Sequence, residues 1–409
     1  MSESEIKFHK TQRALEWLKQ FNEIDRPYAS LLLEKLHWVS SYEFETAIRN
    51  QLLTISDNSE GRIALFVERE VSNYETVYKF NNEKPRRAFG KAFEQIKNID
   101  ESNDIGSEGL LNTIATTFKR SNALKFSYYP SAEKMREEKI RDIVILTDTI
   151  GSGDQILSFI NCFSKTPSLR SWYSSKHVKF YIICYAATES GLRLIDNHIL
   201  KPIVIYKKIC PTIENSFNDV DKRKIIKLCI DYNPESKIIN KSFLGYGGVS
   251  SLICYAHGLP NNSPKILFKR SKKWNPLFRN RTAVDFKDEL PTGASTLRID
   301  EYMNLLGQKR IVASEKFKKL NSEGKIFILV LSSLSRAPRT VNAIASRSGL
   351  SYIQVSDIIV RLRFLDWIND KNRLTDEGHM LLDSLRKKQT KKLSISIKDE
   401  YYPNTLRRP

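Results

Sequence analysis

The segment VILTDTIGSGDQILSFI, residues 144–160, combines four features in a fixed order. An apolar run is followed by the carboxylate of Asp148, then by a glycine-serine-glycine turn, and then by apolar residues at helical spacing. A buried strand that leads through glycines into a helix is typical of a parallel α/β sheet, whose ligands bind at the carboxyl ends of the strands. The segment therefore predicts a fold class and the place of a ligand site.

Further apolar runs on both sides of this segment support the same fold. The five predicted strands are GRIALFVERE (61–70), IVILTD (143–148), VKFYIICYAA (178–187), PIVIYKK (202–208) and VSSLICYAH (249–257). Continuous apolar runs predict strands buried on both faces, and most of the intervals are long enough for crossover helices. We expect an α/β domain over residues 59–300, preceded by a helical region over residues 1–58. The stretch LPNNSPKILFKRSKKWNPLFRNR predicts an ordered edge or hood loop.

The turn after Asp148 has the composition of a phosphate site. Gly151 and Gly153 permit backbone conformations that direct several N–H groups at one anion, and the start of the next helix adds its positive dipole end. The Ser152 hydroxyl can donate to a phosphate, and Asp148 can accept from sugar hydroxyls or hold a hydrated Mg²⁺. A sugar phosphate fits all of these features, whereas a plain tight turn is the structural alternative. Neither GxGxxG nor GxxxxGK[ST] occurs here.

The same segment resembles the ribose-phosphate motif of type I phosphoribosyltransferases, in which a strand leads to two acids, two variable positions and a Thr/Ser-Gly turn. Thr147 and Asp148 occupy the acidic pair, so the first acid is replaced by a neutral hydroxyl, and Gln155 stands where threonine is usual. The resemblance implies Asp148 as the catalytic candidate. It implies a substrate-binding set of Thr147, Asp148, Thr149, Gly151, Ser152, Gly153 and Gln155.

A closer resemblance extends over most of residues 15–281. WLKQFNEIDRPYASLLLEKL, GSEGLLNTI, DTIGSGDQ, LGYGGVSSLICYAHGLPNNSPKILF and KKWNPLFRNR are similar, in this order, to segments of the PRTase-CE proteins of prokaryotic conflict systems. The resemblance implies an antiphage or toxin-like effector, which in some members is encoded in a retron beside a reverse transcriptase. It does not supply a substrate.

Two glycine-containing segments are additional candidates. Gly106 and Ser107 precede a predicted helix and could bind a second phosphate, although Ser107 could equally be a helix cap. Tyr246, between two glycines, could stack on a ligand or simply pack. The histidines, His257 among them, show no nucleophile or metal spacing, and the five cysteines form no CxxC pair. The sequence therefore predicts no metal site held by the protein alone and no catalytic histidine.

The carboxyl-terminal quarter shows a different pattern. Three predicted helices, a turn-rich hairpin at Asn369–Asn372 and a further helix follow in the order of a winged helix-turn-helix, which we place at residues 315–395, with a tail at 396–409. Residues 301–409 carry 21 Lys+Arg against 11 Asp+Glu, and the whole chain has a formal net charge of +19. Such a balance favours nucleic-acid binding, although winged helices also dock proteins. The candidate nucleic-acid-binding residues are Arg347, Tyr352, Gln354, Arg361, Lys371 and Arg373.

These patterns lead to two main functional hypotheses, and a scaffold-like role inside a larger ribonucleoprotein is a third that the charge and both domains also fit. In the first, the protein is a defence effector that binds, and could cleave or transfer, a ribose phosphate or nucleotide, as a phosphoribosyltransferase-like or glycosidic-bond-cleaving enzyme. Mg²⁺ could accompany a phosphoribosyl ligand, and the nucleic acid could be DNA or an RNA–DNA hybrid, with a reverse transcriptase or another defence-system subunit as partner. In the second, it is a non-enzymatic regulator that senses a metabolite. The sequence contains neither a membrane span nor a signal peptide, which predicts a cytoplasmic protein without membrane contact.

Overall fold

The computed structural model describes residues 8–72, 74–81, 86–93, 107–235, 241–283, 286, 296–348, 350 and 352–386. The chain divides into two compact units, Met1–Ser295 and Thr296–Pro409. Gly106, one of the predicted phosphate-binding residues, lies outside the described residues. None of the helices in the described ranges is long and apolar enough to cross a membrane.

The first unit contains helices and short strands in alternation. Its helices are α1 (Gln12–Leu18), α2 (Arg26–Glu34), α3 (Ser41–Asn58), α4 (Ser107–Ser121), α5 (Ala132–Glu137), α6 (Asp154–Lys165), α7 (Pro167–Ser174), α8 (Glu189–Asp196), α9 (Ile213–Ser216), α10 (Asp219–Asp231) and α11 (Lys265–Phe268). Its strands are β1 (His37–Val39), β2 (Ile63–Val67), β3 (Lys79–Phe80), β4 (Ala88–Phe89), β5 (Phe126–Tyr128), β6 (Asp142–Leu146), β7 (Thr149–Ile150), β8 (Lys179–Ala187), β9 (Ile203–Ile209) and β10 (Ile253–Tyr255).

The main sheet is parallel, as the continuous apolar runs predict. Its strands lie in the order β5-β2-β6-β8-β9, and β7 continues the line of β6 along β8. Residues 143–146 of β6 have no exposed surface, because helices cover both faces of the sheet. The α/β fold class is therefore confirmed, and β2, β6, β8 and β9 fall at four of the predicted strands.

The fifth predicted strand belongs elsewhere. Within the run at 249–257 only β10 is a strand, and it pairs in parallel with β1 to form a separate two-stranded sheet. The fifth strand of the main sheet is instead β5, which is three residues long and pairs with β2. The strand β1 also lies inside the segment that we expected to be helical throughout. The strands β1 and β5 are too short to show a pattern in the sequence, whereas β10 lies in an apolar run that does not reveal which sheet it joins.

Two apolar clusters stabilise this unit. One joins the sheet to α6 and α7, and it includes Phe66, Phe159 and Phe163. The other joins the amino-terminal helices to residues 213–286 and includes Trp17 and Trp274, with Leu277 and Phe278 fully buried. The predicted hood loop is therefore ordered by its own apolar side chains. The amino-terminal helices and the hood share one core.

The second unit has the predicted succession of helices and wing. Its helices are α12 (Thr296–Leu305), α13 (Lys309–Val312), α14 (Glu315–Lys318), α15 (Ser322–Leu334), α16 (Val341–Ser348), α17 (Tyr352–Phe364) and α18 (Asp376–Arg386). Between α17 and α18 an antiparallel bridge joins Ile368 to Leu374 and forms the wing. Val355 and Leu362 place the apolar face of α17 in the core of the unit. The winged helix-turn-helix is therefore present over the described part of this region.

Candidate functional site

The carboxyl ends of β2 and β6 form the point where the sheet reverses its direction of winding. From β2 the chain passes through α4 to β5 on one side, and then through α5 to β6 on the other side of β2. The backbone N–H of Glu68, just after β2, donates to the Leu146 carbonyl at 2.8 Å, so the two strand ends are level. In open α/β sheets such a switch point holds the ligand. The residues that follow β6 are those that the sequence singles out.

After β7 the chain turns sharply at Gly151–Gly153, which we name the glycine turn, and α6 begins at Asp154. Gly153 has φ +90°, a conformation that favours glycine, and a Cβ on Gly151 would overlap the side chain of Asn262. The Gly151 carbonyl accepts a hydrogen bond from the Thr188 hydroxyl at 2.5 Å. The turn is therefore fixed from two sides by residues distant in sequence.

The glycine turn presents unused hydrogen-bond donors. Within the described ranges, the N–H groups of Gly151, Ser152 and Gly153 donate to no protein acceptor. The Asp154 N–H donates to the Ser152 hydroxyl oxygen at 3.4 Å, and the first N–H groups of α6 have no partner within that helix. Consecutive N–H groups at the start of a twelve-residue helix form a binding site for an anion such as phosphate.

Asp148 lies between β6 and β7, separated from this turn by the two residues of β7, and is partly accessible, with 22% of its side chain exposed. Its Oδ1 accepts from the Thr149 N–H at 2.5 Å, and its Oδ2 lies 3.7 Å from Nε2 of His257. The Thr149 hydroxyl is 2.5 Å from the Tyr255 hydroxyl, so side chains of β7 and β10 are joined here. The carboxylate is thus held at the strand end beside the unused N–H groups.

Two further carboxylates face the same strand ends, and sequence reasoning missed both. Glu68 is 7% exposed, and burial, together with the charges of Asp148 and Glu108, raises its pKa to about 8, although a hydrogen bond with the Thr147 side chain works against the rise. Burial and then the Asp148 charge raise the pKa of Glu108, at the start of α4. Thr147, which replaces the first acid of the motif, is therefore paired with an acid from the neighbouring strand.

These carboxylates do not form a metal site by themselves. In the part of the chain that the structure describes, no group of three or more His, Cys, Asp or Glu side chains could hold a metal ion. Mg²⁺ usually takes only one or two carboxylates from a protein and completes its shell with phosphate oxygens and water, so this result does not bear on Mg²⁺ bound together with a phosphate ligand.

Comparison with known protein families places these features in context. Residues 14–280, about two thirds of the chain, match the family PRTase-CE. The chain belongs to the PRTase-CE family. Residues 328–408 match the family described as wHTH-PRTase associated, which agrees with the fold of the second unit. No curated protein and no solved structure matches the chain.

The structure brings most of the predicted ribose-phosphate residues of this PRTase-CE protein together. Thr147, Asp148 and Thr149 lie at the strand end; Gly151, Ser152 and Gly153 form the turn, and Gln155 is exposed in the first turn of α6. Ser107 is the first residue of α4, whose Glu108 is near enough to Asp148 for its pKa to respond. Gly247 packs against Ser152, because a Cβ at that glycine would lie 2.7 Å from the Ser152 Cβ.

In the second unit, Arg347 supports the loop between α15 and α16. Its guanidinium donates to the carbonyls of Ala343 at 3.0 Å and Arg336 at 2.9 Å, and also to that of Pro338. Burial and, after it, the positive charges of Arg339 and Arg336 lower the pKa of Arg347. The guanidinium groups of Arg336 and Arg339 in the loop and of Arg347 on α16 therefore lie close together, without a carboxylate partner among the described residues.

The wing lies against this loop. The Asn372 side-chain amide donates to the Arg339 carbonyl at 3.0 Å, and the Asn369 side chain accepts from the N–H groups of Lys371 and Arg373. The side chains of Lys371 and Arg373 are exposed and, like that of Arg336, make no hydrogen bond or ion pair within the described residues. We name the surface formed by Arg336, Arg339, Arg347, Lys371 and Arg373 the loop–wing surface.

The cations on α17 are arranged differently. Arg361 pairs with Glu323 at 2.6 Å on an exposed face, and Arg363 donates to the Asn372 side chain at 2.8 Å. Gln354 is partly buried in the same helix, and Tyr352 is its first residue. On α17, Arg361 has a carboxylate partner and Arg363 is held by the wing, whereas Arg336, Lys371 and Arg373 make no side-chain hydrogen bond or ion pair within the described residues. The loop–wing surface is therefore a better candidate for phosphate contacts than the predicted recognition helix.

Proposed function

We propose that this PRTase-CE protein is a prokaryotic antiphage effector whose first unit binds, and cleaves or transfers, a ribose phosphate or nucleotide, and whose winged helix binds nucleic acid. The observation that carries the first half is the glycine turn, whose three unused N–H groups follow Asp148 after the two residues of β7. The turn supplies donors for a 5′-phosphate, and Asp148 supplies an acceptor for the sugar hydroxyls. Membership of the PRTase-CE family supports the same ligand class.

The residues would act on the ligand in a simple division of roles. Gly151, Ser152 and Gly153 would hold the phosphate through backbone donors and the Ser152 hydroxyl, as helix starts commonly do. Asp148 would orient the ribose, and with Mg²⁺ bound through the ligand's phosphates it would also contribute one oxygen to the ion. The ion would supply positive charge to neutralise phosphate oxygens during bond cleavage.

The loop–wing surface supports the nucleic-acid half of the proposal. Guanidinium and ammonium groups that have no carboxylate partner can bind the backbone phosphates of nucleic acids. Such contacts contribute affinity that does not depend on the base sequence. Duplex DNA presents such phosphates. So does an RNA–DNA hybrid, which a retron that encodes a reverse transcriptase would supply. Binding of full-length protein to labelled duplexes of each kind, measured by fluorescence anisotropy, tests this half; no binding to either duplex would refute it.

The ribose-phosphate half is tested by calorimetry with phosphoribosyl pyrophosphate and common nucleotides in the presence of Mg²⁺. We expect Asp148→Asn to weaken binding by roughly tenfold or more, since a charge-assisted hydrogen bond to the sugar is lost. Asp57→Asn, at an exposed position of α3, is the matched control and should bind as wild type. Unchanged binding and unchanged cellular toxicity of Asp148→Asn at equal stability would contradict the assignment.

A metabolite-sensing regulator is the second candidate. It is favoured by Thr147, because a site that lacks the first acid of the motif can still bind a sugar phosphate without turning it over. Expression in cells separates the two: growth arrest that Asp148→Asn abolishes supports the effector, together with a product detected by mass spectrometry. Sequence-specific DNA binding that changes with a ribose phosphate supports the regulator instead.

A further inference from the structure

His257 lies in a tight turn, residues 255–258, directly after β10. The N–H of Tyr255 donates to the Gly258 carbonyl at 3.0 Å, and the N–H of Gly258 donates back to Tyr255 at 2.9 Å. Gly258 has φ +140°, and a Cβ there would lie 2.8 Å from the Arg281 carbonyl oxygen. The turn therefore requires glycine after His257, and it holds the histidine at a fixed point of the backbone.

Aromatic contacts fix the orientation of the His257 ring. It stacks on Tyr255 with centroids 4.8 Å apart and an interplanar angle of 15°, and it meets Phe44 edge-on at 5.0 Å. Both of these partners are fully buried. These contacts restrict rotation of the ring and so fix the directions in which its two nitrogens point.

The nitrogens of this ring have no hydrogen-bond partner among the described residues, although only 4% of the side chain is exposed. An unsatisfied buried nitrogen costs free energy, and such groups are uncommon in folded proteins. The charged atom that faces Nε2 is Oδ2 of Asp148, at 3.7 Å, which is somewhat longer than a hydrogen bond. The other oxygen of Asp148 already accepts from the Thr149 N–H.

We propose that His257 is a positioning residue that donates from Nε2 to Oδ2 of Asp148 when a ribose phosphate is bound, and so fixes the carboxylate for the sugar hydroxyls. This inference rests on the proposed ribose-phosphate function. A closure of roughly 0.8 Å between Nε2 and Oδ2 gives a normal hydrogen bond. Oδ1 and Oδ2 are then each oriented by one donor, and their remaining lone pairs face the ligand.

The proposal predicts that loss of the His257 side chain weakens the binding of some ligands and not of others. Inorganic phosphate would contact the glycine turn alone, whereas ribose 5-phosphate would also contact Asp148. His257→Phe keeps an aromatic ring but removes the donor. We therefore expect it to weaken ribose 5-phosphate binding by about tenfold and to leave inorganic phosphate binding unchanged.

Two conservative variants separate positioning from packing. Glutamine can place an amide N–H near the site of Nε2, so His257→Gln should bind ribose 5-phosphate within about threefold of wild type. Asparagine reaches only the position of Nδ1, so His257→Asn should behave like His257→Phe. In an Asp148→Asn background, His257→Phe should add little further loss, because interacting residues are non-additive.

The experiment is calorimetric titration of the full chain and these variants with ribose 5-phosphate and, separately, with inorganic phosphate, each variant first compared with wild type by thermal unfolding. Equal weakening of both ligands, or no rescue by His257→Gln, would show that His257 only packs and would overturn the proposal. Binding of His257→Phe equal to wild type would also overturn it. If wild type binds neither ribose 5-phosphate nor phosphoribosyl pyrophosphate, the proposed function fails together with the inference, a result distinct from all the others.

Discussion

The glycine turn and the loop–wing surface both present donors to an anion, but they are built from opposite materials. The glycine turn uses backbone N–H groups at a buried sheet edge, and the side chains beside it, Asp148, Glu68 and Glu108, are acidic. The loop–wing surface uses cationic side chains, of which Arg336, Lys371 and Arg373 are exposed, and its guanidinium groups repel one another. One site has fixed geometry and little positive charge, whereas the other has charge and less fixed geometry.

This difference indicates two kinds of ligand. A buried turn with acids beside it suits one small phosphate whose ligand also brings hydroxyl groups, because those hydroxyls can donate to the acids. An exposed cluster of guanidinium and ammonium groups suits a repeating phosphate backbone, whose binding depends strongly on salt. Stability and ligand binding at the glycine turn should therefore depend on pH and on the shape of the turn. Nucleic-acid affinity at the loop–wing surface should depend on ionic strength.

The largest effect concerns pH and Glu68. Because burial raises the pKa of Glu68 to about 8, above its ordinary value near 4.5, the folded state holds a proton that the unfolded state has released. The free energy of unfolding should therefore fall as pH rises from about 4.5 to about 8, and Glu68→Gln should remove this fall. The expected gap is small at pH 5 and grows to at most about 5 kcal/mol at pH 9.

Thermal unfolding of wild type and Glu68→Gln across this pH range measures the gap. Glu137→Gln, at an exposed position of α5, is the matched control and should parallel wild type at every pH. A constant difference between wild type and Glu68→Gln would mean that Glu68 is ionised in the folded protein. Water would then reach the Glu68 carboxylate at the carboxyl end of β2.

The second effect concerns shape at the glycine turn. Gly151→Ala would force a Cβ into the side chain of Asn262, which is buried and donates to the Tyr246 carbonyl at 3.0 Å. We expect a loss of stability of about 1–3 kcal/mol, and loss of measurable ribose 5-phosphate binding because the N–H groups move. Calorimetry and thermal unfolding measure both quantities.

Gly61→Ala is the control for this substitution, since the nearest atom to its Cβ would be 3.8 Å away and its φ is not positive. Its binding should equal that of wild type. Normal ligand binding by Gly151→Ala would show that the phosphate does not use this turn.

Local patterns were sufficient to predict the strand, the glycine turn and the winged helix. In each, the residues that decide the structure are neighbours in sequence: the apolar run before Asp148, the glycines after it, and the apolar face of α17. The same reasoning placed a fifth sheet strand at 249–257, because an apolar run does not reveal which sheet it joins. Residues 253–255 pair with β1, more than two hundred residues earlier in the chain.

The side chains that complete the site could not be predicted for a related reason. Glu68, His257 and Asn262 reach Thr147, Asp148 and Gly151 from distant parts of the chain. His257 and Asn262 lie in a segment that resembles the PRTase-CE proteins, but the resemblance assigns a role to neither residue. A signal was available in one case. Thr147 stands where an acid is expected, and a missing acid could have prompted a search for one at the end of a neighbouring strand.

The smallest effect concerns salt at the loop–wing surface. The double variant Arg336→Gln, Lys371→Gln removes two unpaired charges. If both contact phosphates, the slope of log affinity against log salt should become shallower by about 1.8, from about 0.9 per contact, and duplex affinity at physiological salt should fall by about tenfold. Anisotropy titrations of the full chain at four or more salt concentrations measure the slope.

The matched control removes the same charge from paired positions. Arg361→Gln with Lys318→Gln deletes cations that face Glu323 and Glu315, at 2.6 and 2.9 Å. Because these cations already have carboxylate partners, the salt slope should change by well under half as much. If the control lowers the slope as strongly as the loop–wing variant, duplex affinity depends on the net charge of the whole unit and not on particular cations. The loop–wing surface would then not be a distinct phosphate-binding site. The predicted recognition helix α17 would again be the candidate element for contact with a groove of the nucleic acid.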